Sequence, residues 1–204
     1  MKSNILFMGV AALLVSAAGA NATEFRPFVG VGMGIQGLIY DDAFEDAMAE
    51  TYLPKDFVAF GFEGGARFGS CDKIYNGGFS VNIDTTDSEK VSNKFTNETY
   101  AKIKTTALTA TYDNFIRISG DKMKRIDLVL GAGMGAMNYH LDSQVATRSD
   151  ETRWSTEFAF KAGLDFELNK NLTLSATMRW FVPTREHYNI ASSYIAGGAI
   201  KYAF

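Results

Sequence analysis

One cysteine, three prolines and two histidines in 204 residues remove several classes of protein at once. A lone Cys71 supports neither an intramolecular disulfide framework nor a cysteine-based metal site. It lies in a short turn, 69–73, where spacing gives it no partner; it reads as an incidental thiol, with an intermolecular disulfide as the alternative. So few prolines do not suit a loop-rich secreted domain. No metal-ligand cluster and no phosphate loop is present, so no cofactor is expected. Basic residues number 20 against 23 acidic ones, and a net charge of −3 argues against nucleic acid as a partner. After the N-terminus, no apolar run approaches the roughly twenty residues that a spanning helix needs.

The chain opens instead with an export signal. Lys2 is a short basic region, and residues 5–15 form an apolar and small-residue core. Ala20 and Ala22 frame a small-x-small cleavage site, so residues 1–22 are expected to be removed. No cysteine stands at the cleavage point, which argues against a lipid anchor. The remaining chain, residues 23–204, suits one domain.

Hydrophobic residues make up 47% of the chain, yet mean hydropathy is −0.06. Apolar residues are therefore interleaved with polar ones. Eight segments alternate with period two: 25–38, 57–68, 74–84, 106–118, 125–139, 154–168, 172–182 and 193–204. The first sets Val29, Val31, Met33 and Ile35 against Gly30, Gly32, Gly34 and Gln36. The last sets Tyr194, Ala196, Gly198, Ile200, Tyr202 and Phe204 against Ile195, Gly197, Ala199, Lys201 and Ala203. A soluble sheet hides its aromatic face, whereas here that face runs to the final residue, as in a strand with lipid outside and a tight polar interior. The final strand of a secreted β-sandwich is the alternative. In the fourth segment Asn114 falls on the apolar side, which predicts a bulge or register change near Asp113 and Asn114.

Connections alternate in length. Those at 69–73, 119–124 and 169–171 are tight, whereas 41–56, 85–99 and 140–153 are long and polar, and 183–189 is shorter. An even strand count puts both termini and all tight turns on one side. The expected fold is an all-β, eight-stranded antiparallel up-and-down transmembrane β-barrel, closed so that no edge faces lipid unbonded.

The segment 158–181, FAFKAGLDFELNKNLTLSATMRWF, the final SYIAGGAIKYAF and the initial FRPFVGVGMG resemble the OmpA/OmpX-like family of small outer-membrane barrels. The resemblance covers essentially the whole chain after the signal, as the barrel domain alone. It implies the outer membrane of a Gram-negative bacterium, with both termini periplasmic and the loops extracellular. It implies contact with outer-membrane lipid and lipopolysaccharide. It also implies that Ile200, Tyr202 and Phe204 form the signal read by the barrel-assembly machinery. Larger members attach a peptidoglycan-binding domain after the barrel; the sequence stops at Phe204, so a cell-wall tether is not expected.

The inward faces carry Arg26, Glu63, Arg67, Asp84, Asp113, Arg117, Asp127, Glu157, Lys161, Asp165, Glu167, Arg179 and Lys201. An eight-stranded barrel is just wide enough for side chains to fill. Charges packed there must pair, since an unpaired buried charge costs several kcal/mol. The expected outcome is a plugged lumen and a structural or surface-interaction role, in adhesion or envelope integrity. A small porin-like channel through the same network is the alternative. A lipid A-modifying enzyme is a minor one, and no catalytic residue is assigned. It would need His140 or His187 in contact with a serine such as Ser143, Ser192 or Ser193 and a carboxylate such as Asp142 or Glu186, which spacing alone does not ensure. The loops 41–56, 85–99 and 140–153 offer surfaces for an extracellular ligand. The first is acidic with near-helical apolar spacing, which suits a short rim helix. Its Asp41, Asp42, Glu45 and Asp46 also offer carboxylates to the divalent cations that bridge lipopolysaccharide, though a solvated loop is the plainer reading.

Overall fold

The computed structural model describes residues 24–69, 73–119, 125–143, 151–184 and 189–204. The signal with Ala20 and Ala22, Cys71, Glu186 and His187 lie outside them. The elements are β1 (Phe25–Tyr40), α1 (Asp42–Ala47), β2 (Thr51–Tyr52), β3 (Asp56–Phe68), β4 (Tyr75–Thr86), β5 (Glu89–Asn93), β6 (Thr99–Ser119), β7 (Ile126–Ser143), β8 (Glu151–Glu167), β9 (Leu172–Pro183) and β10 (Ile190–Ala203).

Eight of these strands form a ring. Each of β3, β4, β6, β7, β8, β9 and β10 pairs antiparallel with its neighbours in turn, and β1 pairs with both β3 and β10 to close it. Closure hydrogen-bonds both sides of every strand, the condition for strands to sit in hydrocarbon. Among the described residues no helix is long and apolar enough to cross a membrane. The crossing elements are strands.

Period two sorts the side chains as the sequence indicates. Val31, Met33, Phe60, Phe62, Ile83, Leu108, Phe158, Phe160 and Ile200 are exposed on the outside, while Asp84, Asp113, Asp127, Lys161, Asp165, Arg179 and Lys201 are buried inside. Phe62, 67% exposed, lies within this contiguous apolar outer band, as on a lipid-facing wall.

Two expectations need correction. First, the register runs unbroken through Asp113↔Gly131 and Asn114↔Leu130; the shift in β6 falls between Arg117 and Ser119. Asn114 stays on the outer face, where its Nδ2 donates to the Leu130 carbonyl at 3.5 Å. Second, much of the chain expected as outer loop is sheet. β6 spans 21 residues, about twice what a bilayer crossing takes. β5 pairs with β6 above β4, and β2 adds to β5. The cause is an inversion of polarity along one strand. Up to Leu108, β6 is apolar outside and carries Asp113, Thr111 and Thr109 inside; beyond it, Lys104 and Lys102 face out while Ala107, Ile103 and Ala101 are buried inside. The same alternation therefore serves lipid below and water above.

In the first outer loop, where a solvated loop is the plainer reading of the sequence and a short rim helix the alternative, the structure forms the helix α1. Asp41 caps it by accepting from Ala43 N at 3.0 Å, and Glu45 pairs with Lys55 at 2.8 Å. Phe44 packs inward against the barrel's apolar cluster.

Candidate functional site: the filled lumen

The turn end of the lumen is organised by Arg67 from β3. Its Nη1 lies 2.8 Å from Asp127 and 2.7 Å from Glu167, its Nη2 lies 3.1 Å from Asp165, and its guanidinium covers the Phe115 ring at 3.9 Å. One fork thus gathers three carboxylates from β7 and β8, with a cation–π contact beneath. Arg125 also pairs with Asp127. Ser175 donates to Asp165 at 2.6 Å.

The middle belongs to Lys161 on β8. Its Nζ reaches Glu63 at 2.7 Å, Asp113 at 3.0 Å and Ser80 Oγ at 3.1 Å, three acceptors for three donors. Lys201 bridges the two levels, lying 3.2 Å from Glu63 and 3.3 Å from Asp165. Directly across from Lys161 in register, Arg179 holds Asp84 through both nitrogens, one of them at 2.7 Å.

Inward glycines make this possible. A Cβ on Gly61 would stand 2.3 Å from Asp84 Oδ1, and one on Gly131 would stand 2.3 Å from Asp113 Oδ1. The wall gives up side chains where the carboxylates sit.

Above the charges the lumen turns apolar. Leu38, Tyr40, Phe57, Ile103, Met137, Tyr139, Phe181, Ile190 and Ile195 form a buried cluster, with Phe44, Leu53, Val91 and Leu141 packed against it. The elements above the membrane thus close the loop end. Two small cavities lie lower down. One of about 40 Å³ borders Gly34, Gly61, Glu63, Asp84 and Arg179; the other, about 30 Å³, lies between Arg26, Arg67, Glu167 and Lys201. Each is on the scale of one or two waters.

Most of the charged residues singled out from the sequence meet in these two lower levels, and three do not. Among the described residues Arg26 pairs with Glu24 alone, at 3.5 Å at the mouth. Among the described residues Arg117 Nε and Nη2 meet no acceptor. Glu157 sits apart, accepting from Tyr139 OH at 3.0 Å. Arg125 was not among the residues singled out, although it shares parity with Asp127. The apolar cluster was also missed, because its residues fall in segments read as loop or at strand ends.

The candidate histidine chemistry does not assemble among the described residues. His140 Nδ1 meets Thr152 Oγ1 at 2.8 Å, and by strand parity Ser143 points to the opposite face of β7. Ser192 lies on the outer face of β10, and Ser193 is buried against Met137 Sδ at 3.7 Å. No group of three metal-ligating side chains occurs among the described residues; Asp41 and Glu45 are engaged in the cap and the ion pair already given.

The sequence matches the family described as outer membrane protein beta-barrel domain over residues 8–189. No curated protein matches it. Among solved structures, it is similar to Ail, the attachment invasion locus protein of Yersinia pestis, in complex with the heparin analogue sucrose octasulfate. Identity is 17% over 89% of this chain and 100% of Ail, with a TM-score of 0.53. It is similar to the outer membrane protein OprG from Pseudomonas aeruginosa at 12% identity, over 86% of this chain and 95% of OprG, TM-score 0.55. The N-terminal β-barrel domain of OprF from Pseudomonas aeruginosa aligns at 12% identity, over 90% of this chain and 100% of that one, TM-score 0.51. At these identities the likeness establishes the fold alone.

Proposed function

Because this chain belongs to the outer membrane protein beta-barrel domain family, we propose that it is a non-conducting surface barrel with a structural or interaction role, in adhesion or envelope integrity, and not an enzyme. The observation that carries this reading is the two-level filling of the lumen. Ion pairs occupy the lower part and an apolar cluster closes the upper, so the path holds water-sized cavities where an ion would need a hydrated route. The same asymmetry supports an orientation in which the end where the outer wall becomes charged and the sheet outgrows the bilayer faces the exterior, with both termini toward the periplasm. Partner contact falls to the residues that extension presents, such as Phe95 at 78% exposure and Tyr52 at 52%. Ile200, Tyr202 and Phe204, outward on the last strand, serve as the assembly signal.

Purified protein in planar lipid bilayers is expected to give no unitary conductance steps. Stable steps of uniform size would overturn the plugged reading. A second reading, a narrow channel, has one observation in its favour. Among the described residues Thr109 Oγ1 and Glu157 Oε2 are buried without hydrogen-bond partners, and both flank Gly135 in register, where water would satisfy them.

A further inference from the structure

We propose that Lys90, Lys102 and Lys104 form a binding site for the phosphates of the outer-leaflet glycolipid, on the outer wall just above the lipid boundary. Lys90 and Lys102 are directly opposed across β5 and β6, and Val91↔Ala101 beside them turns inward, so both lysines face out. Lys104 follows on the same face. None of the three makes an ion pair among the described residues. Like charges directly opposite each other destabilise a sheet, and a phosphate between these two turns repulsion into shared attraction. Each ammonium offers three donors to phosphate oxygens.

Among the described residues the acids nearby form no ion pair with the row. Asp142 stands across from Lys102 on β7, and Asp87 spends one oxygen on Val58 N at 3.0 Å. His140, across from Lys104, is held by Thr152.

The height fits. Leu108 is the last apolar lipid-facing residue of β6, and Lys104 lies four residues beyond it. Four residues of strand are roughly 13 Å, which the usual tilt reduces to about 10 Å above the apolar band. Lys102 and Lys90 stand two residues higher, at about 15 Å, and long lysine stems reach back down toward the headgroups. Trp154, 59% exposed on the outer face, is in register through Asn138 with Thr106, the outward residue next below Lys104. An aromatic there marks the interface.

The inference rests on the orientation proposed above. Its test does not, because micelles have no sides: the full-length barrel in neutral detergent is titrated with bisphosphorylated lipid A and with lipid A stripped of both phosphates, and bound lipid is counted by native mass spectrometry. Phosphorylated lipid A is expected to bind at least tenfold tighter, since each lysine near an anionic surface contributes about fivefold. The triple variant Lys90→Gln, Lys102→Gln, Lys104→Gln is expected to lose that advantage, and the triple lysine-to-arginine variant to keep it. Equal binding of the two lipids, or full affinity in a folded triple-glutamine variant, would overturn the site. If that variant does not fold, the comparison of the two lipids on the unaltered protein decides. Displacement of lipid A by an equal concentration of a soluble sulfated oligosaccharide would overturn the lipid assignment in favour of a soluble polyanion.

Discussion

Lys161 gives the clearest reading of what a single side chain contributes. It is almost fully buried, and its three contacts join β8 to β3, β4 and β6 across the lumen. Breaking a buried pair costs about 3–5 kcal/mol because it strands the partner. Here the partners keep other support: Glu63 retains Lys201, and Asp113 retains Ser80 and Thr111 at 2.8 Å each. Lys161→Ala is therefore expected to cost about 3 kcal/mol, at the lower end of that range. The readout is the temperature at which the folded band in SDS gels shifts to the unfolded position. A variant that keeps its stability and gains conductance would make Lys161 part of a gate. The parity of Lys161, Arg179 and the carboxylates was legible from alternation. Which of them pair was not, because that depends on strand stagger around the ring, a property no single segment carries.

At the scale of the element, β6 shows where sequence reading succeeds and where it stops. Its lower half was legible from Leu108, Ala110, Tyr112 and Ile116 alternating with Thr109, Thr111 and Asp113. Its upper half was not, because reading apolar as outward fails once water replaces lipid; the alternation in Ala101, Lys102, Ile103 and Lys104 was present with its polarity reversed. Asn114 misled in a different way, as a polar residue on the lipid-facing side whose Nδ2 reaches the Leu130 carbonyl of the neighbouring strand at 3.5 Å without any change of register. Strand contact also sets what a glycine tolerates. A Cβ on Gly133 would lie 1.9 Å from the Ala110 carbonyl oxygen, whereas one on Gly64 meets nothing within 4 Å. Gly133→Ala is expected to cost about 2 kcal/mol through overpacking, and Gly64→Ala to leave the gel-shift temperature unchanged within about 0.5 kcal/mol. The last strand is fully paired in the folded ring, to β9 and to β1, and Phe204 N donates to the Pro27 carbonyl at 3.0 Å. Before closure it is an edge that templates pairing. Deleting Phe204 is expected to lower the yield of heat-modifiable barrel in outer membranes while export continues; unchanged yield would remove the assembly role.

For the molecule as a whole, closure was the most legible feature. Eight alternating segments with alternating connection lengths leave little besides an up-and-down ring. The apolar cap was illegible because its members come from α1 and from strands on all sides of the ring, brought together by height above the membrane. Sidedness can be tested directly. In a Cys71→Ser background, a Phe95→Cys variant is expected to react with a membrane-impermeant maleimide on intact cells, and a Lys170→Cys variant only after the cells are broken. The reverse pattern would invert the barrel.

The outer wall also acts as a gauge. On β6 the lipid-facing stretch runs from Ile118 to Leu108. At 3.3 Å per residue that is roughly 33 Å of strand, which the tilt brings to about 25 Å, the height of the apolar band in barrels of this kind. Fully bonded strands cannot shorten or kink as a helix can, so a mismatched bilayer must deform around the protein at a cost of fractions of a kcal/mol per Å. With lysines stationed above that stretch and aromatics at its base, the barrel floats at one depth, and a thin membrane such as the outer membrane is the one it fits without strain.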